Sequence, residues 1–232
     1  MDKQTLRERV WDDLEASGEA RFPFPPHGRI PNVAGAAEAA DRLADQPEWQ
    51  AAETIKANPD APQLPVRRRA LREGKTVYMA VPRLREEECF LRLDPAELED
   101  YDAATTVSGS STHGVSVGPD EVPEIDLIVS GSVAVTEAGA RVGKGEGYSD
   151  LEYAVLAEFG LVDAATPVAT TVHERQVLEE AVPVDDHDVP MDLVVTPERV
   201  VRPDGGEKPA GIDWSLLEAE RLEEIPVLAR LR

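Results

Sequence analysis

The sequence predicts an α/β fold: a mostly parallel sheet with helices on both faces, a three-layer αβα arrangement in a single domain over residues 1–232. Three observations carry this. Strand-like runs alternate with helical segments along the chain, as crossover connections between parallel strands require. Ile125–Val129 is apolar at every position except Asp126, the composition of a strand covered on both faces. Shortly after it, the stretch Arg141-Val-Gly-Lys-Gly-Glu-Gly-Tyr-Ser-Asp150 leads directly into the helical pattern Leu151–Phe159. No internal repeat or long low-complexity segment marks a second domain, and 232 residues can build a core without disulfide staples.

Residues 3–16 form an amphipathic helix with Leu6, Val10 and Leu14 on one stripe, Asp2 as its cap and Gly18 at its end. Arg21–Val33 holds four prolines and is irregular; its two Phe and one Ile predict a loop pinned onto the body. Ala34–Ala57 reads as helical, split at Pro47 into two helices, with Asp45 near the second as a cap. Asn58–Pro65 is a loop, Val66–Glu73 a short helix closed by Gly74, and Thr76–Val81 a strand stopped by Pro82. Cys89–Leu93 reads as a strand and Pro95–Tyr101 as a helical turn capped by Asp94. Ser108–Gly114 is small and polar, a loop able to line a pocket. Beyond the glycine stretch, Pro167–Val172 and Asp192–Val195 are strands, Arg175–Glu180 a helical turn and Arg199–Arg202 an edge pair. Residues 215–223 are helical, and Ile225–Leu231 packs as a tail. In such a sheet, loops gathered at the carboxyl ends of strands hold the ligand, which places 108–114 and 141–148 together.

Formal charge is −22, and only five of the 24 basic residues are Lys. Such an acid excess keeps a protein soluble through repulsion and hydration, and it strains the compact state at low salt. It resembles a halophile's cytosolic surface and argues against a nucleic-acid partner, which needs a basic patch. Cys89 is the only cysteine, so the chain has neither an internal disulfide nor a cysteine metal site, as fits a reducing cytoplasm. No run approaches membrane-spanning length, and Met1-Asp-Lys-Gln lacks a signal-peptide core. A cytoplasmic monomer with no membrane partner is the default expectation.

The candidate site is the glycine stretch. Gly143, Gly145 and Gly147 free the backbone to turn N–H groups toward an anion, and the helix after them points its positive end at the same place. Arg141 and Lys144 add two positive charges on an acidic chain, which suggests a phosphate site. The spacing is neither the dinucleotide fingerprint nor a Walker loop, and alternating glycines can equally serve as a tight strand-to-helix connection. Lys3 and Arg7 stand four apart on one helix and can reach one target together, or form a solvated basic face. Asp150 can cap the helix as well as hold a metal. Tyr148 packs the loop or stacks on a ring. Glu146, an acid inside a phosphate loop, is expected to point away or to reach the ligand through a metal. His27, His173 and the pair His187–Asp188 read as structural.

The glycine stretch resembles the R-x-G-x-G-x-G-Y-Y-D signature of the 5-formyltetrahydrofolate cyclo-ligase (methenyltetrahydrofolate synthetase) family. Lys3-Gln-Thr-Leu-Arg7 resembles its opening K-x-x-L-R, Ile125-Asp-Leu-Ile-Val-Ser-Gly131 its D-L-I-x-V-P-G strand end, and the stretch Val184–Thr196 its late H-D-x-x-x-D segment. The likeness extends to the divergent methenyltetrahydrofolate synthetase domain-containing branch, through the Phe-Pro…Arg-Ile-Pro-Asn loop and a closing Ile-Pro-x-Leu-x-x-Leu-Arg. Ser149 departs from the second Tyr of the signature and Ser130 from its Pro. The resemblance implies a Rossmann-like fold of the NagB/RpiA/CoA-transferase type. It further implies ATP and Mg²⁺ as cofactors, and ATP-dependent ring closure of 5-formyltetrahydrofolate, a small-molecule substrate, to 5,10-methenyltetrahydrofolate. It assigns Arg141 and Lys144 to catalysis and Lys3, Arg7, Arg141, Gly143, Lys144, Gly145, Gly147, Tyr148 and Gln176 to ATP, with Asp150 on the metal. Two alternatives stand beside it: a nucleotide- or pterin-binding protein of the same fold without catalysis, and an enzyme acting on another reduced pterin. With the acid excess, the resemblance also points to a haloarchaeal source.

Overall fold

The computed structural model describes residues 1–232. Along the first half of the chain run α1 (Lys3–Ala16), α2 (Ala36–Ala44), α3 (Pro47–Ala51), β1 (Thr54–Ala57), α4 (Leu64–Arg72), β2 (Thr76–Ala80), β3 (Phe90–Leu93), α5 (Tyr101–Ala104), α6 (Val107–His113) and β4 (Val115–Val117). The second half adds β5 (Leu127–Val129), β6 (Ala134–Thr136), β7 (Arg141–Val142), α7 (Tyr148–Glu158), β8 (Val168–Thr171), β9 (Val177–Leu178), β10 (Leu193–Val195), β11 (Val200–Val201), α8 (Ala219–Glu224) and α9 (Pro226–Leu231).

Eight strands form the central sheet in the order β11-β10-β8-β5-β1-β2-β3-β4. The run from β10 to β2 is parallel, and only the outer pairs are antiparallel. With its flanking helices this is the mostly parallel α/β fold that the alternating pattern predicts. All three residues of β5 are buried between β1 and β8, as its unbroken apolar composition demands. Asp126, the polar exception, accepts hydrogen bonds from the backbone N–H groups of Glu53 and Thr54 at 2.9 Å each. It thereby fixes the start of β1. The strand order reverses around β1 and β5: β2 lies on one side, β8 and β10 on the other. Their carboxyl ends leave a crevice at that switch point.

Residues 54–57, expected to continue the helix, are the central strand β1. The Ala-rich helical pattern stops at Ala51, and pairing with both β5 and β2 overrides the local helical propensity of Thr54–Ala57. Asp45 does not cap α3; Gln46 stands there without a side-chain bond, and Pro47 supplies the first helical residue. Asp94 does cap a turn, accepting from Ala96 N at 2.9 Å, but the turn does not run on to Tyr101; the next helix starts there, where Asp100 caps it by accepting from Ala103 N at 3.0 Å. The 108–114 segment is the helix α6 rather than a pocket loop. Thr106 caps it, and a Cβ on Gly109 would lie 1.8 Å from the Ala103 carbonyl oxygen, so the glycine permits α5 and α6 to meet. In the proline-rich loop Ile30 is buried, whereas Phe22 and Phe24 are exposed.

A second, smaller sheet, β7-β6-β9, has no counterpart in the sequence expectation. It shares a separate apolar cluster with α1: Leu6, Val10, Trp11 and Leu14 pack with Val133, Ala134, Val142 and Leu178. This cluster clamps the N-terminal helix onto the strand that opens the glycine loop. Truncating Leu6 or Leu14 to Ala there would cost about 2–5 kcal/mol.

Candidate active site

The glycine loop joins β7 to α7 and stands between two cavities that share Arg141, Gly143, Gly147 and Asp150. The larger, about 280 Å³, opens at the carboxyl ends of β1, β2 and β5, where Asn58, Asp60, Val81, Arg83 and Gly131 line it with Lys144 and Ser149. The smaller, about 130 Å³, has no apolar lining residue; Lys3, Arg7, Gly145, His187 and Asp188 complete it.

The second core sets the geometry of the smaller cavity. By docking α1 on the small sheet, it brings Arg7 to the loop, where Nε donates to the Gly143 carbonyl at 2.6 Å. Gly143 and Gly145 allow that approach: a Cβ on Gly143 would lie 2.9 Å from the Arg141 guanidinium, and one on Gly145 would lie 3.3 Å from that of Arg7. Gly145 and Gly147 also take φ of +107° and +71°, which a side chain would oppose. The N–H groups of residues 143–147 donate to no acceptor within the chain, and Gly147, which precedes α7 as its N-cap, offers no side-chain bond. Backbone donors and a helix dipole therefore converge on one small polar space.

Arg7 has no carboxylate partner, although the chain is strongly acidic; burial and then repulsion from Arg141 lower its pKa. A guanidinium without a carboxylate bond, held beside a second one, is placed to receive an anion. Arg141 is buried and bridges the loop, donating to the Gly131 carbonyl at 3.0 Å and to Asp150 Oδ2 at 2.6 Å. Burial works against its charge, but the Asp150 carboxylate outweighs that and raises its pKa. Asp150 Oδ1 also accepts from Val189 N at 3.1 Å, so it ties loop, helix and the 185–189 turn together. Lys3 reaches the same turn, at 2.8 Å from Asp185 and 2.5 Å from Asp188. Burial opposes its charge, yet the two carboxylates raise its pKa.

Lys144 borders the larger cavity and pairs with Glu146 at 2.8 Å, so the loop acid turns to its own lysine. Tyr148 lies under the Arg221 guanidinium, 4.7 Å from the ring centre. Gln176 borders neither cavity: it is buried, with its amide spent on His173 N and on the Ser132 and Val133 carbonyls. His173 caps its turn and His27 pairs with Asp12 at 2.8 Å, both away from the cavities. Cys89 is fully buried and its thiol is pushed up to about 12, which removes it as a nucleophile.

Other residues gain significance only in three dimensions. The Asp60 carboxylate faces the larger cavity with no hydrogen-bond partner, and burial raises its pKa. Its loop is held from below by Arg67, which donates to the carbonyls of Asn58 at 2.6 Å and Asp60 at 3.0 Å. Beneath the cavity, Lys56 of β1 pairs with Glu152 of α7, both buried. His187 and Asp188, expected only to shape a turn, also border the smaller cavity. The signal for Asp60 is Asn58-Pro-Asp60 directly after a strand, and it is hidden because that strand reads as helix.

The donor set accommodates a hard cation. Asp150 and Asp188 both face the smaller cavity, and each carboxylate keeps lone pairs beyond its present bonds, the oxygen chemistry that Mg²⁺ favours.

Comparison with known proteins places this geometry in context. The family model of 5-formyltetrahydrofolate cyclo-ligases matches residues 1–197. The methenyltetrahydrofolate synthase domain-containing protein of Mus musculus is 45% identical over 240 residues, covering 99% of this chain and 63% of its own length. The Homo sapiens protein of the same description is 39% identical, with 99% of this chain and 61% of its own length covered. The chain thus spans less than two thirds of these relatives. Among solved structures, the Aquifex aeolicus 5,10-methenyltetrahydrofolate synthetase superposes with a TM-score of 0.57 at 22% identity, over 90% of this chain and 96% of that one. That likeness establishes the shared fold.

Proposed function

The chain belongs to the 5-formyltetrahydrofolate cyclo-ligase family, and from that premise we propose that it closes 5-formyltetrahydrofolate to 5,10-methenyltetrahydrofolate at the expense of ATP. The observation that carries this is the glycine loop as the common wall of two cavities, one built for an anion and one for a polar ring. The triphosphate lies in the smaller cavity on the free N–H groups of 143–147, with Lys3, Arg7 and Arg141 around it and Lys144 facing the γ-phosphate end from the larger cavity. The reduced pterin occupies the larger one, where the unpartnered Asp60 carboxylate can accept two N–H bonds from an aminopyrimidine edge.

The shared wall is where the substrates meet. The formyl oxygen attacks the γ-phosphorus, the bond to the β-bridging oxygen breaks, and ADP leaves. The neighbouring nitrogen then attacks the formyl carbon and loses its proton, while phosphate departs with the former formyl oxygen. The protein's part is positioning and charge neutralisation, for which Arg141 borders both cavities and Lys144 reaches in from the wall of the larger one. A bound Mg²⁺, held by Asp150 and Asp188, would neutralise charge on the phosphates.

The test is a steady-state assay in molar KCl with 5-formyltetrahydrofolate, ATP and Mg²⁺, following the near-ultraviolet absorbance of the methenyl product. An ATP-dependent rise that is lost in Lys144→Met is expected. A folded protein that gives no rise refutes the cyclo-ligase assignment; retained ATP binding would then point to a binding role or another pterin.

A further inference from the structure

A third cavity, also about 280 Å³, adjoins the other two at Gly147 and Asp150, and it differs from them in character. Leu151 and Ala154 of α7 form one wall; Ile212, Leu216 and Leu217 form the opposite one. His187 stands at its junction with the small anion cavity. The second wall belongs to the segment after residue 197, where the match to the family model ends.

That segment is also fastened to the glycine loop. Arg221 covers the Tyr148 ring and donates to the Glu146 carbonyl, so the backbone of the loop and the apolar wall are held by one side chain. Leu216 is 53% exposed, an apolar side chain left at the rim of an apolar recess beside a phosphate-binding loop.

We propose that this recess receives the purine base of the nucleotide whose phosphates lie on the glycine loop, and that residues 211–221 are therefore part of the nucleotide site. The inference rests on the phosphate reading above and extends it to the base. A phosphate cavity with no apolar lining can hold only the charged end of a nucleotide. The recess that continues across Gly147, Asp150 and His187 adds apolar walls from Leu151, Ala154, Ile212, Leu216 and Leu217, with polar groups at its edge, the mixture on which a base can be seated. Arg221 acts here as a positioning residue, since it holds the loop and the wall in register.

Calorimetric titration in high salt with MgATP and with inorganic tripolyphosphate separates the two parts. The parent protein should bind MgATP roughly tenfold to a hundredfold more tightly than tripolyphosphate, the gain expected from burying a base. Ala154→Leu, which fills the recess, and Leu216→Asn, which makes its exposed rim polar without adding charge, should each remove most of that difference and leave tripolyphosphate binding unchanged. Circular dichroism would confirm that both variants fold. Tripolyphosphate binding as tight as MgATP, or both ligands weakened equally by both folded variants, would overturn the base site alone. Failure of tripolyphosphate to bind the parent would overturn the phosphate reading and this proposal with it.

Discussion

Replacing Arg7 by Met removes a guanidinium while keeping an apolar stem of similar length. The side chain makes one strong bond in the chain, from Nε to the Gly143 carbonyl at 2.6 Å, and a long one to Gln4 at 3.3 Å. It has no carboxylate to leave unpaired, and it lies close enough to Arg141 for repulsion to lower its pKa. The loss of the Gly143 bond and the relief of repulsion therefore offset each other, and stability should change by less than about 1 kcal/mol. Binding is different. A hydrogen bond from a charged donor to phosphate is worth about 1.5–3 kcal/mol, so affinity for MgATP should fall roughly tenfold to 150-fold. Calorimetric titration alongside a thermal melt reads both quantities. Affinity unchanged within twofold, with an intact melt, would refute the assignment of this guanidinium to the phosphates.

Three further outcomes rest on the same geometry. Asp60→Asn should stabilise the folded protein at neutral pH, because burial raises the native pKa of a carboxyl that has no partner. The strain is absent below the unfolded value of 3.8 and complete above the raised native value; denaturant midpoints of variant and parent should converge as pH falls through that window, and a gap that widens instead would contradict it. Asp150→Ala should cost about 3–5 kcal/mol, since it leaves Arg141 buried and uncompensated; activity loss in that variant alone is therefore not proof of a metal role, and Asp150→Asn with a measured Mg²⁺ dependence is the cleaner comparison. Glu152→Leu should be similarly destabilising by stranding Lys56, whereas Lys56→Met combined with it should recover most of the loss, as urea unfolding of the single and double variants would report.

Where local signals are strong, the sequence locates the elements. Asp2 caps α1, Leu6, Val10 and Leu14 face inward, and the apolar run before Ser130 is a buried central strand. The glycine loop and its helix are legible for the same reason: a glycine pattern leading into a helical period is local information. The departures share the opposite cause. The stretch Thr54–Ala57 has too few residues to express a strand period, and its Ala and Lys suit a helix equally. The 108–114 segment looks like a loop because Ser, Gly and Thr are poor helix formers, yet a Thr cap and a glycine that admits α5 suffice to wind it.

The sequence by itself determined the α/β class, the phosphate-loop candidate and the basic pair Lys3 and Arg7, because each is encoded in short runs of consecutive residues. Tertiary structure alone decided what those parts face. It brought α1 onto the loop through a second core, set the unpartnered Asp60 in the same cavity as Lys144, spent Gln176 on backbone carbonyls, and laid the C-terminal segment against the loop through Arg221. Those pairings join positions far apart in the chain, and their energy comes from burial and charge matching that exist only once the sheet has closed its strand order around β1 and β5.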